Sequence, residues 1–278
     1  MKEYLNPITG EMNPLDLAYP NPGIYAGVSH AYYLAIDAVS RSDLKNFRDA
    51  PERYKSGESR TSDALIFGTQ YHAFMFEPEH FEKRFVLGDV TASGVRGKAF
   101  KEQQEEHGAE YVYRPKDLEK IEAMYEALKQ YPKSLAVLRN PNPKELTVVA
   151  HHAESGLTIK CKIDILIVEA GWIVDLKTTR DADPDKFKWS VRDYGYDLQS
   201  GFYVMCCQAL PELSHVQDFA IIAQEKEPPY IVRRFNMAEH ISDGIIESNR
   251  LLAELDSWLR TGRPLNDDMH QVHKYSTT

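Results

Sequence analysis

The chain has no excess of positive charge: 33 Lys and Arg stand against 42 Asp and Glu, a net charge of −9 over 278 residues. A protein that coats nucleic acid regardless of sequence needs clustered cations on its surface, so that class is excluded and any nucleic-acid site has to be local. Cysteine is scarce too. Three thiols, Cys161, Cys206 and Cys207, an odd count with two adjacent, make no disulfide framework and fit a reducing compartment. No apolar run approaches the ~20 residues of a membrane helix, and the opening MKEYLNPITGEMNPLDLAYPNPG is broken by prolines and acids where a secretory signal is continuous. The expected location is therefore cytoplasmic, with no membrane partner. Internal repeats are missing as well, which excludes solenoid architectures.

What is present is ample apolar material, 42% of residues with 11% aromatic, enough for a substantial core. Residues 1–37, rich in Pro, Gly, Asn and Tyr, read as an irregular arm, and 38–278 as a single domain with helices on its N-terminal side. Ser40 or Ser42 caps a helix that stops before Pro51, and Ser62 or Asp63 caps a buried helix, containing His72, that stops before Pro78. Leu118, Ile121, Tyr125 and Leu128 recur at helical spacing. After Pro141 and Pro143 the pattern changes to strands: ELTVVAHH, LTIKCKIDILIV and WIVDLKTT. An apolar helix YDLQSGFYVMCCQAL, the strands DFAIIAQE and YIVRRFN, and a helix from about Met237 to Leu259 follow. The expected fold is α/β, a central mixed β-sheet with an antiparallel hairpin, flanked by helices.

The hairpin carries the chemistry. Alternation puts Ile163, Ile165 and Ile167 on one face and Lys162, Asp164 and Leu166 on the other; on the next strand Trp172, Val174 and Leu176 oppose Ile173, Asp175 and Lys177. A tight turn at Glu169 and Ala170 pairs Ile167 with Trp172, Ile165 with Val174 and Ile163 with Leu176. The same register sets Asp164 across from Asp175 with Cβ atoms roughly 5 Å apart. A one-residue slip would bury the charged face, so the apolar pattern selects this pairing. Opposed like charges destabilise unless something neutralises them, and a hard dication such as Mg²⁺ or Mn²⁺ is the natural candidate. Lys177 projects from the face of Asp175, placed to orient a water. Metal-assisted hydrolysis of a phosphodiester suits these groups.

Asp164 together with DLK at 175–177 resembles the PD-(D/E)xK nuclease superfamily, which has a restriction-endonuclease-like core. The surrounding text, SRSDL, GTQYHAFMFEPEHF, GLTIKCKIDIL, DLKTT and DLQSGFY, looks like the exonuclease VIII (RecE) branch, near the RecB-type nucleases, from about residue 38 to 210. That resemblance implies further metal ligands: His72 within GTQYH, the Leu176 carbonyl, and Glu145 as an extra acid on the strand before the hairpin. It gives Gln199 and Tyr203, four residues apart on one helical face, a substrate-positioning role. It implies a Mg²⁺-dependent exodeoxyribonuclease, with Mn²⁺ able to substitute, that acts on ends of double-stranded DNA. The implied polarity is 5′ to 3′, leaving 3′ single strands for recombination. A homo-oligomeric ring and a RecT-type single-strand annealing partner come with it. The alternatives are a structure-specific or restriction-type endonuclease, and a nuclease-like scaffold that binds DNA or a partner without cutting. Some relatives hold an iron–sulfur cluster with four cysteines; three cysteines, one inside the hairpin, do not reproduce that pattern, and no cluster is expected.

Arg96 and Lys98, between the Gly94 loop and a helix, are candidate phosphate contacts, and Arg53, Arg60 and Lys188 are candidates for the border of a DNA channel. DADPD at 181–185 begins like a calcium loop, but Lys186 and Arg192 stand where such a loop requires Gly and Glu, which excludes it.

Overall fold

Six strands form the central sheet of the computed structural model, which describes residues 1–56, 62–89 and 97–262. The elements begin with β1 (Lys2–Leu5), β2 (Met12–Leu15), β3 (Gly23–Tyr25), α1 (His30–Ala35), α2 (Arg41–Asp49) and α3 (Pro51–Ser56). Next come α4 (Asp63–Phe76), α5 (Pro78–Arg84), β4 (Val86–Leu87), α6 (Lys98–His107), β5 (Val112–Tyr113), α7 (Pro115–Leu128) and α8 (Pro132–Arg139). The remainder is β6 (Lys144–His151), β7 (Thr158–Ile167), β8 (Trp172–Thr179), α9 (Pro184–Tyr194), α10 (Tyr196–Gln208), β9 (Asp218–Glu225), β10 (Val232–Asn236) and α11 (Ala238–Thr261).

The sheet runs in the order β10-β9-β8-β7-β6-β3, antiparallel throughout except where β8 lies parallel to β9. Parallel neighbours need a crossover, and α9 with α10 supplies it. Helices cover both faces. On one side α2, α9, α10 and α11 pack around Leu44, Phe187, Phe202 and Leu252 over Cys161, Ile163 and Ile173 of the sheet. On the other, Phe67, Tyr71, Ile121 and Met124 of α4 and α7 cover Ile165, Val174 and Leu176. The fold is the mixed α/β architecture that the alternation of strand and helix patterns predicts, and all three cysteines are free and buried.

The first 37 residues are not irregular. β1 and β2 pair with each other, and β3 adds to the main sheet along β6. Lys160 of β7, 3% exposed, donates to the carbonyls of Tyr33 (2.9 Å), Leu34 (3.3 Å) and Ile36 (2.6 Å), so the arm is fastened by a buried cation whose donors are all used. Strands of three or four residues are too short for alternation to show in sequence.

The hairpin holds the expected register at its closed end, with Ile167 opposite Trp172, Leu166 opposite Ile173 and Ile165 opposite Val174. Its turn closes with Gly171 N–H donating to the Val168 carbonyl (3.2 Å), at a φ of +67° that suits glycine. Beyond Ile165 the expectation fails. Ile163 packs toward α10 whereas Ile165 packs toward α4, so the two do not share a face, and Ile163 and Leu176 lie in separate clusters instead of pairing. The break falls at Asp164, across from Glu145, which has the left-handed φ of +51°. Leu176 N–H donates to Asp164 Oδ2 (2.8 Å), a side chain taking the place of the ladder. The strands part there, and the parting makes room for a site.

On the α10 side the helices meet through two glycines. A Cβ at Gly201 would strike the backbone of Gly244 and Ile245 in α11, which has no soft side chain to yield. Helix propensity alone would favour Ala by about 1 kcal/mol, whereas overpacking against backbone costs about 1–3 kcal/mol or more. Gly201→Ala is therefore expected to destabilise the fold, read as a lower urea midpoint with an unchanged slope; a midpoint equal to the parent's would show that the helices separate freely.

Candidate functional site

Five elements converge on the open end of the hairpin. α4 begins with Ser62, whose hydroxyl accepts from Leu65 N–H (3.3 Å). Its rotation is set by Tyr71, wholly buried, which donates to Gln224 Oε1 of β9, while the Gln224 amide donates to the Met124 carbonyl of α7 (2.7 Å). The next residue, His72, then faces the hairpin. His72 Nε2 lies 2.6 Å from the Leu176 carbonyl. A carbonyl only accepts, so Nε2 carries a hydrogen, and Nδ1 is the nitrogen turned toward the acids. That Nδ1 is 3.5 Å from Asp164 Oδ2 and 4.0 Å from Glu145 Oε1.

Glu145 reaches this place through its left-handed backbone, a conformation that costs a non-glycine residue on the order of 1 kcal/mol or more and tends to persist where function requires it. Its other oxygen is held by Lys162 Nζ. Asp175, on β8, is 3% exposed. Gln199 Nε2 of α10 donates to Asp175 Oδ1 (2.7 Å), and Lys177 Nζ stands 2.8 Å from Oδ2, although that oxygen receives no well-aligned hydrogen bond. Lys177 also lies over the Tyr196 ring at 5.4 Å. Desolvation pulls the Lys177 ammonium down, but attraction by Asp175, Tyr196 and Asp164 outweighs it and leaves the pKa above its ordinary value.

The facing acids are thus answered in part by the protein's own cations, Lys177 beside Asp175 and Lys162 beside Glu145. Asp164 has no lysine of its own. Desolvation pushes its carboxyl up, His72 draws it back, and the charges of Asp175 and Glu145 push it further, to about 7.

The donor set fits a divalent ion. One donor atom each from His72, Glu145 and Asp164 lie within 4.8 Å of one another, and Asp175 Oδ2 is a buried oxygen without a hydrogen bond. Carboxylate oxygens with a single imidazole nitrogen suit Mg²⁺ or Mn²⁺. The expected ligands divide: Asp175 lies outside the three-residue group, and the Leu176 carbonyl is engaged by His72.

Of the other expected site residues, Gln199 is brought directly onto a carboxylate. Tyr203, one turn on, sits at the margin of the core, edge-on to Phe219 at 6.0 Å. Lys98 is 89% exposed and paired with Glu102 (3.4 Å), Arg53 pairs with Asp49, and Lys188 pairs with Asp185. Arg60 and Arg96 lie outside the described residues. Sequence reasoning missed Lys162, Tyr196 and Arg41. Arg41 Nη2 donates to Gln199 Oε1 (3.4 Å), which aims the opposite end of that amide at Asp175. The only signal for Arg41 was its place inside SRSDL. A recess of about 730 Å³ lies elsewhere, lined by Trp172, Val174, Ile222 and Arg234, and contains none of these groups.

Residues 40–262 match the family described as "PDDEXK-like domain of unknown function (DUF3799)". A crystal structure described as "Putative exonuclease", from Eubacterium rectale, shares the fold with a TM-score of 0.52 at 17% identity, covering 87% of this chain and 91% of that one. A second solved structure, SSO0001, aligns with a TM-score of 0.29 at 9% identity over 78% of this chain and 85% of that one. No curated protein sequence matches the chain. No helix among the described residues is long and apolar enough to cross a membrane.

Proposed function

Since the chain belongs to the PDDEXK-like family, matched over residues 40–262, we propose that it is a metal-dependent DNA exonuclease. The observation that carries this is the convergence, where β7 and β8 part, of Asp164, Asp175 and Lys177 with His72 and Glu145. A dication bound by His72, Glu145 and Asp164, with Asp175 beside them, would neutralise phosphate charge and acidify water. The chain's own residues do the rest. His72 holds the Leu176 carbonyl through Nε2–H and offers Nδ1 to the ion. Lys177, kept cationic by Asp175, orients the attacking water in line with the scissile phosphorus. Gln199 keeps Asp175 from rotating as charge moves past it.

The finer reading has the enzyme enter at ends of double-stranded DNA, degrade one strand 5′ to 3′, and leave a 3′ strand for recombination, with Mg²⁺ as the ion. Its support is the resemblance to the exonuclease VIII branch and the description, as an exonuclease, of the Eubacterium rectale protein with the same fold. A ring of several copies would keep so acidic a chain, net −9, on its substrate by topology, and a RecT-type annealing protein would receive the product. Incubation of linear and covalently closed circular duplexes with Mg²⁺ is the test. Loss of the linear form with the circle spared is expected; cutting of the circle would establish an endonuclease, and survival of both a non-cleaving scaffold.

A further inference from the structure

We infer that one unpaired DNA strand is led into the site over the corner between α9 and α10, with its phosphates on an Arg41–Lys45–Arg48 face of α2 and a base stacked on Tyr194. This rests on the nuclease reading above. Arg41, Lys45 and Arg48 recur at helical spacing on α2, beside the buried Leu44 and Phe47 that anchor the helix. Among the described residues Arg41 and Arg48 have no ion-pair partner, and Lys45 shares Asp49 with Arg53. In an acidic chain, cations left without carboxylates are where a polyanion gains most.

These cations lie against the corner. Arg41 Nη1 donates to the Tyr194 carbonyl (3.3 Å), and a Cβ at Gly195 would be 3.7 Å from Arg48 Nη2 and 3.8 Å from Lys45 Cδ. Tyr194 is 60% exposed, and its ring centre is 5.7 Å from that of Tyr196, the ring that lies beneath Lys177. A continuous path therefore leads from an exposed aromatic face, along guanidinium groups, to Lys177 and Asp175. It also has an end at Arg48, which itself lines a hollow of about 430 Å³ together with Asp197, Asp243 and Glu247, carboxylates that would repel phosphate.

A single strand fits this path better than a duplex. Asp175 is 3% exposed and the Asp164 side chain 12%, so the scissile phosphate has to descend to them, which a strand released from its partner can do. An exposed ring rewards only a base that is free to stack, and duplex bases are already stacked.

The test is fluorescence anisotropy of the full chain with a labelled single-stranded oligonucleotide and a labelled blunt duplex, in EDTA. Tyr194→Ala is expected to weaken single-strand binding by about tenfold, leave duplex binding within about twofold, and be rescued by Tyr194→Phe. Arg48→Ala is expected to reduce the single-strand salt slope by about 0.7. Tyr194 is largely exposed, so an unchanged melting curve verifies that the variant folds. Tyr194→Ala binding the single strand as tightly as the parent, or losing both affinities equally, overturns the inference. EDTA separates the two proposals: an intact binding difference without any Mg²⁺-dependent cleavage sinks the nuclease reading alone, and normal cleavage with no binding difference sinks the strand path alone.

Discussion

Lys177→Ala is expected to cut DNA at least 10²-fold and up to about 10⁴-fold more slowly than the parent while keeping its fold, the range associated with removing one positioned proton-handling or charge-stabilising group. The substitution acts on two things at once. Lys177 Nζ is the cation beside Asp175 Oδ2, at 2.8 Å, and the carboxylate it serves is 3% exposed. Removing it in EDTA leaves a buried charge without its partner, for which a stability loss of about 3 kcal/mol is expected. In Mn²⁺ much of that loss should return, because a dication supplies charge to the same cluster. The combination distinguishes a catalytic lysine from a structural one: a purely structural lysine would give a variant that regains turnover whenever Mn²⁺ regains its stability. Turnover within tenfold of the parent in saturating Mn²⁺ would mean the water is oriented by another group.

Asp164→Asn is expected to move stability and activity in opposite directions. Its carboxyl is pushed to about 7, against an ordinary value near 4, chiefly by desolvation. The folded chain therefore holds the Asp164 proton more tightly than the unfolded chain does, and apo stability falls as pH rises from about 4 to about 7, by up to about 4 kcal/mol from this residue, then levels off. An amide oxygen in place of Oδ2 can still accept from Leu176 N–H, the bond that replaces the ladder at 2.8 Å, so the local structure has no reason to collapse. In EDTA at pH 8 the variant should melt higher than the parent, with the advantage gone at pH 4. It should also show no stabilisation by Mn²⁺ and no cleavage. An Asp164→Asn protein that melts lower than the parent at pH 8 would mean the carboxylate is ionised and well paired in the apo protein.

The hairpin shows why part of this site was legible. Ile165, Ile167, Trp172 and Val174 are bulky apolar residues at a spacing of two, and burying them together leaves one register, which the structure has. The same logic misled at Ile163, because alternation assumes an unbroken backbone. The break at Asp164 depends on the positive φ of Glu145, a residue of another strand, and on a side chain bonding to Leu176 N–H. Neither leaves a local pattern. The ladder ends before Asp164 and Asp175 would pair, yet Asp175 still pushes the Asp164 carboxyl up, while Lys162 stands beside Glu145 and Lys177 beside Asp175.

The outlying residues were legible to different degrees for equally physical reasons. His72 stood out through GTQYH and a resemblance, not through helical spacing, since a histidine on an apolar helix is ordinarily a packed one. Arg41 resembles any solvated helix-start arginine until α10 places Gln199 against it. The arm was misjudged because prolines and glycines dominate its composition, while its contribution to the sheet is three residues long.

The central claim is that the parting of β7 and β8 holds a dication. The most direct measurement is anomalous diffraction from a crystal soaked in Mn²⁺ at neutral pH. A peak is predicted in contact with His72 Nδ1, Glu145 and Asp164, with Asp175 turned toward it and Lys162 drawn away from Glu145. Ordered Asp164 and Glu145 carboxylates bridged only by lysine ammonium groups, with no peak at saturating Mn²⁺, would contradict it.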